Sequence, residues 1–117
     1  MSKLVQILEY VAQDGSCPFR AWFDSLDAVP AARVNVYLER VINGNVSSVA
    51  PIGAGLSEIK LDFGPGYRIY FGKEGDYLVI LLGGSSKKGQ QKAIDRAKVM
   101  WQEHKTSKKL AAKKTRK

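Results

Sequence analysis

Several ingredients of common enzyme sites are scarce in or missing from this 117-residue chain. Its one cysteine, Cys17, excludes an intramolecular disulfide and a cysteine-rich metal site. As a nucleophile, Cys17 would need a histidine close in space, and the one histidine is His104, near the far end of the chain. The sequence lacks a Lys-Ser/Thr phosphate loop, a GxSxG elbow and an HExxH motif. The acidic residues are scattered and form no obvious pair for hydrolysis or metal binding. We therefore expect no metal site and no cofactor.

Long apolar runs are absent too. The longest, "YLVILLGG" at 77–84, is far shorter than the ~20 residues of a membrane-spanning helix. The N-terminus carries Glu9 and Asp14 and has no small-residue cleavage site, so it does not read as a signal peptide. These features predict a cytoplasmic protein without membrane contact.

Positive charge is abundant but unevenly placed. The formal net charge is +8, and residues 105–117 hold seven cations and no acid, so residues 1–104 carry only 8 − 7 = +1. The tail has too little apolar content to pack. The sequence thus predicts one domain over residues 1–104 and a disordered basic tail over 105–117. The tail is either a solvated extension or a source of nonspecific attraction to RNA or DNA.

The first half of the chain predicts a strand followed by two helices. Residues 3–11, "KLVQILEYV", suit a strand. A first helix capped by Ser16 is predicted where aromatic and apolar side chains recur at helical spacing, at Phe19, Trp22, Phe23 and Leu26. A second helix is predicted after Pro30 and ends at Asn43-Gly44, which closes a helical hairpin.

The second half predicts a loop at 46–56, three strands and a helix. The strands are "LSEIKLDF", "YRIYFG" and "DYLVILLG", and the helix runs from about Gln90 to His104. The last strand is apolar at nearly every position, as expected of a central strand covered on both sides. The fold class is α+β: an antiparallel sheet of about four strands, with the helical hairpin packed on one face and a C-terminal helix.

The turn Gly64-Pro65-Gly66 joins the first two of these strands. Matching apolar with apolar positions sets Lys60 opposite Tyr70 and Asp62 opposite Arg68. Lys60, Arg68 and Tyr70 then share a polar face. Two interpretations follow. The face is solvated, with an Asp62–Arg68 ion pair, or it gathers cations and a phenol to bind phosphate and a base.

"GPGYRIYF" at 64–71, the Glu-Ile-Lys at 58–60 and the spacing of four later residues together resemble one known family. The four residues are Lys87, Gln90, Ile94 and Ala97. Over residues 3–103 the chain resembles the HigB-like branch of the RelE/ParE toxin superfamily, often labelled addiction module killer proteins.

The resemblance implies a RelE-like fold with an open, concave sheet face that acts on RNA. It implies a toxin of a type II toxin–antitoxin system, a metal-independent endoribonuclease that cleaves messenger RNA on the ribosome and so inhibits translation. The implied partners are the ribosome, messenger RNA and a cognate antitoxin, often a helix-turn-helix protein.

The resemblance also implies roles for individual residues. Lys60 matches a position that binds phosphate or acts as the base, Arg68 one that stabilises the phosphate, and Lys87 a loop cation in contact with RNA or the transition state. The implied RNA-binding residues are Tyr70, Lys88, Gln90 and Lys92.

Two alternatives stay open. A ParE-like protein would inhibit DNA gyrase by binding it, and a degenerate member would bind only its antitoxin or nucleic acid. Ser86 and Ala93 stand where the family pattern usually has acids. The three cations Lys60, Arg68 and Lys87 favour the endonuclease, since a pure binder has no need to gather them.

Overall fold

The protein is an α+β domain built on a mixed five-stranded sheet with three α-helices. The computed structural model describes residues 5–115, with side chains through residue 111. The strands are β1 (Gln6–Glu9), β2 (Val49–Gly53), β3 (Leu56–Lys60), β4 (Arg68–Glu74) and β5 (Leu78–Ser85). The helices are α1 (Pro18–Asp24), α2 (Ala28–Ile42) and α3 (Gln90–Thr115), and a short 3-10 turn, Lys87–Gly89, precedes α3.

The strand order is β1-β5-β4-β3-β2. β1 pairs with β5 in parallel, and the other pairs are antiparallel. The expectation of an antiparallel sheet of about four strands was therefore wrong in both count and pairing. A parallel pair cannot be joined by a tight turn, and β1 and β5 are separated along the chain by two helices and three strands, whereas the later strands follow one another through short turns.

β2 occupies a segment that the sequence predicts as a loop. Pro51 and Gly53 are turn-forming residues, but β2 lies at the sheet edge, where a missing backbone donor is tolerated. Pairing with β3, in which Ala50 lies opposite Glu58, makes it a strand.

The first core lies between the sheet and the helical hairpin. Its buried residues include Phe19 of α1, Val34 of α2, Ile59 of β3 and Val79 of β5. The predicted aromatic stripe of α1 is confirmed, although Cys17 rather than Ser16 is the N-cap. α2 begins at Ala28, before Pro30, because proline is accepted in a first helical turn.

The second core lies on the opposite face, beneath α3. Ala97 and Trp101 of α3 pack with Tyr70, Leu56 and other buried residues of the sheet. Trp101 lies so close to β4 that a Cβ at Gly72 would stand 2.6 Å from its ring. The sheet face that the resemblance leaves open for RNA is thus covered by α3 over its middle.

β5 confirms the prediction of a central strand. It lies between β1 and β4, with Val79 and Leu81 in the first core and Ile80 and Leu82 in the second. α3 runs past His104, where the predicted helix ends, to Thr115. Residues 105–115 therefore continue the helix in place of the disordered tail that their composition predicts.

Candidate functional site

The candidate site lies where β3 ends and β4 begins. Lys60 pairs directly with Arg68, and Glu58 pairs with Tyr70. The predicted register, with Asp62 opposite Arg68, was wrong by two residues. Alternation of apolar and polar positions fixes only which face each side chain takes, and a shift of two residues preserves that pattern. The loop decides the offset: Leu61 N donates to Tyr67 O at 2.9 Å, so Asp62 lies within the loop.

Glu58 is the buried charged residue of the described chain, 3% exposed. Arg68 Nη1 donates to its Oε1 at 3.3 Å, and Gln90 Nε2 donates to its Oε2 at 3.4 Å. Lys60 Nζ lies 4.0 Å from the same Oε1. One carboxylate therefore joins two strands and the start of α3. We call these four residues, Glu58, Lys60, Arg68 and Gln90, the Glu58 cluster.

Arg68 is held in a partly buried position. Its side chain is 14% exposed, whereas that of Lys60 is 55% exposed. Arg68 Nε is buried and has no hydrogen-bond partner among the described residues. An unpaired buried donor costs about 1–3 kcal/mol, which the surrounding structure must offset. Such unsatisfied groups are rare in folded proteins, so this one marks the arginine as a functional candidate.

The Gly-Pro-Gly turn contacts the segment that carries Lys87. Lys87 N donates to Pro65 O at 3.2 Å, and a Cβ at Gly66 would stand 3.3 Å from the Lys87 side chain. Gly64 and Gly66 both have positive φ, so glycine suits both positions. The turn therefore brings the predicted loop cation beside the start of β4, where Arg68 lies.

Tyr70 does not take the predicted position on an accessible polar face. Its ring is 0% exposed beneath α3, so it cannot stack on an RNA base. Its hydroxyl shares a hydrogen bond of 2.8 Å with Ser85 Oγ. Burial raises the pKa of Tyr70 above the ordinary value of a phenol, and the Ser85 hydrogen bond opposes that shift.

Of the other predicted RNA-binding residues, Gln90 belongs to the Glu58 cluster. Lys88 and Lys92 are exposed, and no hydrogen bond or ion pair joins either to the cluster within residues 5–111. Glu58 and Ser85 are the residues that sequence reasoning missed. The available signal was the position of Glu58: it lies on the same strand face as Leu56 and pairs with Tyr70, both of which are buried, so a buried acid could have been inferred.

Cys17 is placed as a structural thiol. Its Sγ donates to Glu9 Oε1 at 3.2 Å, and burial raises its pKa, which disfavours the nucleophilic thiolate. His104 accompanies Glu74 instead, in a hydrogen bond at the other end of β4. Among the described residues, no three His, Cys, Asp or Glu side chains cluster closely enough to hold a metal ion.

The sequence matches no protein-family model. It is 36% identical over 86 residues to an uncharacterized protein of Haemophilus influenzae, and the match covers 73% of this chain and 87% of that protein. The chain belongs to the same family as this Haemophilus influenzae protein. The matched region therefore spans most of both chains. No helix within residues 5–115 is both long enough and apolar enough to cross a membrane.

Proposed function

We propose that this protein is a RelE-like toxin of the HigB-like branch, a ribosome-dependent messenger RNA endonuclease of a type II toxin–antitoxin system. The single observation that carries the proposal is the Glu58 cluster, in which the exposed Lys60 and the partly buried Arg68 lie opposite each other around one buried carboxylate. The Gly-Pro-Gly turn adds Lys87 to the same end. Cations gathered around one exposed sheet end suit a phosphodiester substrate.

The proposed reaction is transfer of a phosphoryl group within the RNA strand. A base removes the proton of a 2′-hydroxyl, the oxygen attacks the adjacent phosphorus, and the bond to the 5′-oxygen breaks. The products are a 2′,3′-cyclic phosphate and a 5′-hydroxyl, which takes up a proton. Negative charge builds on the phosphate oxygens in the transition state, so fixed cations there accelerate the reaction.

Each residue of the cluster has a place in this scheme. Arg68 stabilises the charged transition state, and Lys60 binds the phosphate or acts as the base. Lys87 and Gln90 contact the RNA. Glu58 acts through Arg68: its buried carboxylate holds the guanidinium at the start of β4, so that little reorganisation is needed when the phosphate binds. The scheme requires no metal ion.

The remaining parts of the proposal follow from the same function. The protein acts in the cytoplasm on ribosomes that carry messenger RNA, and a cognate antitoxin, a helix-turn-helix protein, neutralises it. Lys88 and Lys92 lie on the exposed side of the segment that follows β5 and extend the cationic surface next to Lys87.

The test is induction in bacteria with mapping of messenger RNA 5′ ends and measurement of plasmid supercoiling. We expect new cleavage in register with codons. Arg68→Ala and Lys60→Ala should each reduce it by about 10²-fold or more, the usual cost of losing one transition-state contact. The matched control is Arg40→Ala near the C-terminal end of α2, where the guanidinium lies over the Tyr37 ring of the same helix, and it should cleave as the wild type does.

Three outcomes contradict the proposal. Unchanged RNA with altered supercoiling assigns the protein to the gyrase inhibitors. If induction leaves bacterial growth unaffected, the protein is a degenerate member that binds only its antitoxin or nucleic acid. Cleavage that survives both substitutions places the catalytic groups elsewhere.

A further inference from the structure

Four lysines from two distant parts of the sequence meet at the end of β4 opposite the Glu58 cluster. Lys73 of β4 and Lys105, Lys108 and Lys109 of α3 line one open cleft of about 360 Å³ beside Trp101 and Glu74. We call this cleft, with its four lysines, the lysine cleft. This convergence exists because α3 continues as a helix past His104 and passes over the end of β4.

The charge of the lysine cleft is largely uncompensated. Its one acid, Glu74, accepts hydrogen bonds from Lys108 and His104. Lys73, Lys105 and Lys109 are exposed, and none of them pairs with a carboxylate within residues 5–111. Beyond Lys109 the sequence adds four more cations and no acid, at Lys113, Lys114, Arg116 and Lys117. The Lys105 ammonium lies 5.9 Å from the centroid of the Trp101 ring. Three ammonium groups without a carboxylate partner on one surface favour a polyanionic partner.

The lysine cleft is separate from the candidate site. Arg68 and Glu74 stand at the two ends of β4. At about 3.3 Å per strand residue, the two ends lie roughly 20 Å apart. One small anion therefore cannot occupy both places, whereas a nucleic acid several nucleotides long can reach from one to the other.

The chemistry of the cleft favours a phosphate backbone over a lipid surface. Exposed lysines are mobile point charges that bind phosphates without reading sequence. A membrane-bound helix needs a continuous apolar face opposite its cations. Val99 and Leu110 are the large apolar side chains that the described part of α3 exposes, and Trp101, which lines the cleft, is already packed in the second core.

We propose that the lysine cleft is a second, sequence-independent binding surface for the phosphate backbone of RNA outside the linkage that is cut. That the nucleic acid is RNA rests on the proposed function, whereas binding of the backbone does not. The surface increases the affinity of the protein for long or structured RNA and leaves the chemistry at the Glu58 cluster unchanged.

The test compares two double variants of the full chain with the same loss of charge. Lys105→Gln/Lys109→Gln removes two lysines of the cleft, and Arg33→Gln/Arg40→Gln removes two cations from α2 on the other face of the sheet. All four residues are exposed. Thermal melts check that both variants are folded. Binding of a dinucleotide, a 25-nucleotide single strand and a 25-base-pair duplex is measured by fluorescence anisotropy between 50 and 200 mM KCl.

We expect the cleft variant to lose roughly 10- to 50-fold in affinity for the longer RNAs at 100 mM salt. The slope of log K against log salt should fall in magnitude by about 1.4–1.8, since each lost phosphate contact contributes about 0.7–0.9. The dinucleotide is too short to reach both ends of β4 and should bind the cleft variant with no more than a small loss. A loss confined to the single strand identifies the substrate strand as the ligand, and a loss with the duplex identifies a separate structured RNA.

Two results overturn the proposal. One is an equal loss in the α2 variant, because net charge alone would then explain the binding. The other is unchanged RNA binding by the cleft variant; if the same lysines then prove necessary for binding to vesicles containing phosphatidylserine, the cleft is assigned to a membrane surface. Cleavage assays distinguish the two proposals. If the protein cuts no RNA but shows the expected salt dependence, the endonuclease proposal is rejected and the proposed binding surface stands.

Discussion

At the scale of single residues, Glu58 decides how Arg68 is held. The sequence pairs Arg68 with Asp62 across the turn, but the structure gives it a buried carboxylate from the middle of β3. An exposed ion pair with Asp62 would be worth little and would release the guanidinium easily. A buried partner keeps the guanidinium in place before any phosphate arrives.

The substitution Glu58→Gln tests this arrangement. The amide retains one oxygen for Arg68 but leaves a guanidinium that is 14% exposed without its counter-ion. We expect the free energy of unfolding to fall by about 1–3 kcal/mol in urea denaturation, the cost of weakening a charged buried hydrogen bond. Cleavage of RNA should fall with it.

The matched control is Asp62→Asn, which removes the same charge from the exposed loop. It should change stability by less than about 0.5 kcal/mol. If Asp62→Asn costs as much as Glu58→Gln, Arg68 is paired as the sequence alone suggests and the register found here is wrong.

At the scale of elements, the attachment of α3 is the feature with most consequence for the site. α3 covers Tyr70, and the side-chain amide of its first residue, Gln90, donates a hydrogen bond to Glu58. It packs tightly against the sheet at Trp101, whose ring lies directly over Gly72. A glycine is needed there for space and not for an unusual backbone, since Gly72 is not among the residues with positive φ.

Gly72→Ala should therefore push α3 away from the sheet. The added Cβ would stand 2.6 Å from the Trp101 ring, so we expect a loss of about 1–3 kcal/mol in denaturant unfolding, as for other overpacked cores. At Gly89 the nearest atom to an added Cβ is 3.9 Å away. Gly89→Ala should accordingly change stability by less than about 0.5 kcal/mol, and equal losses in the two variants would argue against this packing.

The far half of α3 is tied to β4 through Glu74. Hydrogen bonds from Lys108, and then from His104, lower the pKa of Glu74 below its ordinary value. As pH falls, the unfolded chain takes up this proton before the folded protein does. The stabilisation is therefore fully present above the ordinary pKa of a glutamate, about 4.3, and is lost as pH falls toward the lower folded-state pKa.

Glu74→Gln should remove this contribution. We expect it to cost about 0.5–1 kcal/mol at pH 6 and progressively less as the pH falls below about 4.3, measured by urea unfolding at each pH. Asp76→Asn, an exposed substitution in the neighbouring hairpin loop, serves as the charge-matched control and should change stability by less than about 0.5 kcal/mol at pH 6. A cost for Glu74→Gln that is constant between pH 6 and pH 3 would rule out this ion pair as the attachment of the helix.

The strand with the highest apolar content was predicted correctly from the sequence, and segments rich in turn-forming residues or lysine were not. β5 was predicted as a central strand because every position from 78 to 82 is apolar, and its side chains enter both cores. β2 was missed because its residues signal a turn, and only pairing with β3 makes them a strand. The second half of α3 was missed because its lysines suggest solvation, whereas the helix continues from a well-packed start at Ala97 and Trp101.

At the scale of the whole molecule, one sheet separates two cores, and each core contains one of the two tryptophans. Trp22 packs with the helical-hairpin core, and Trp101 belongs to the core under α3. β5 contributes residues to both, so neither core can lose its packing without disturbing the other. This sharing predicts cooperative, two-state unfolding of the domain.

Single-tryptophan variants test that cooperativity. In Trp101→Phe, fluorescence reports on Trp22, and in Trp22→Phe it reports on Trp101. Within each variant, we expect the urea midpoint from fluorescence to coincide with that from far-ultraviolet circular dichroism. If Trp101 fluorescence changes at a lower urea concentration than circular dichroism does, α3 unfolds separately and the domain is not a single cooperative unit.

The sequence by itself determined which residues face which way. Alternation in β3 and β4, the continuous apolar run of β5 and the aromatic stripe of α1 placed the apolar side chains in the core, because burial of apolar surface dominates folding. It also brought Lys60 and Arg68 together on one face. Only the tertiary structure decided that Lys60 lies opposite Arg68, that Glu58 is buried beneath them, and that α3 covers Tyr70. A repeat of two residues fixes the face but not the offset, and burial by α3 depends on residues far away in the sequence.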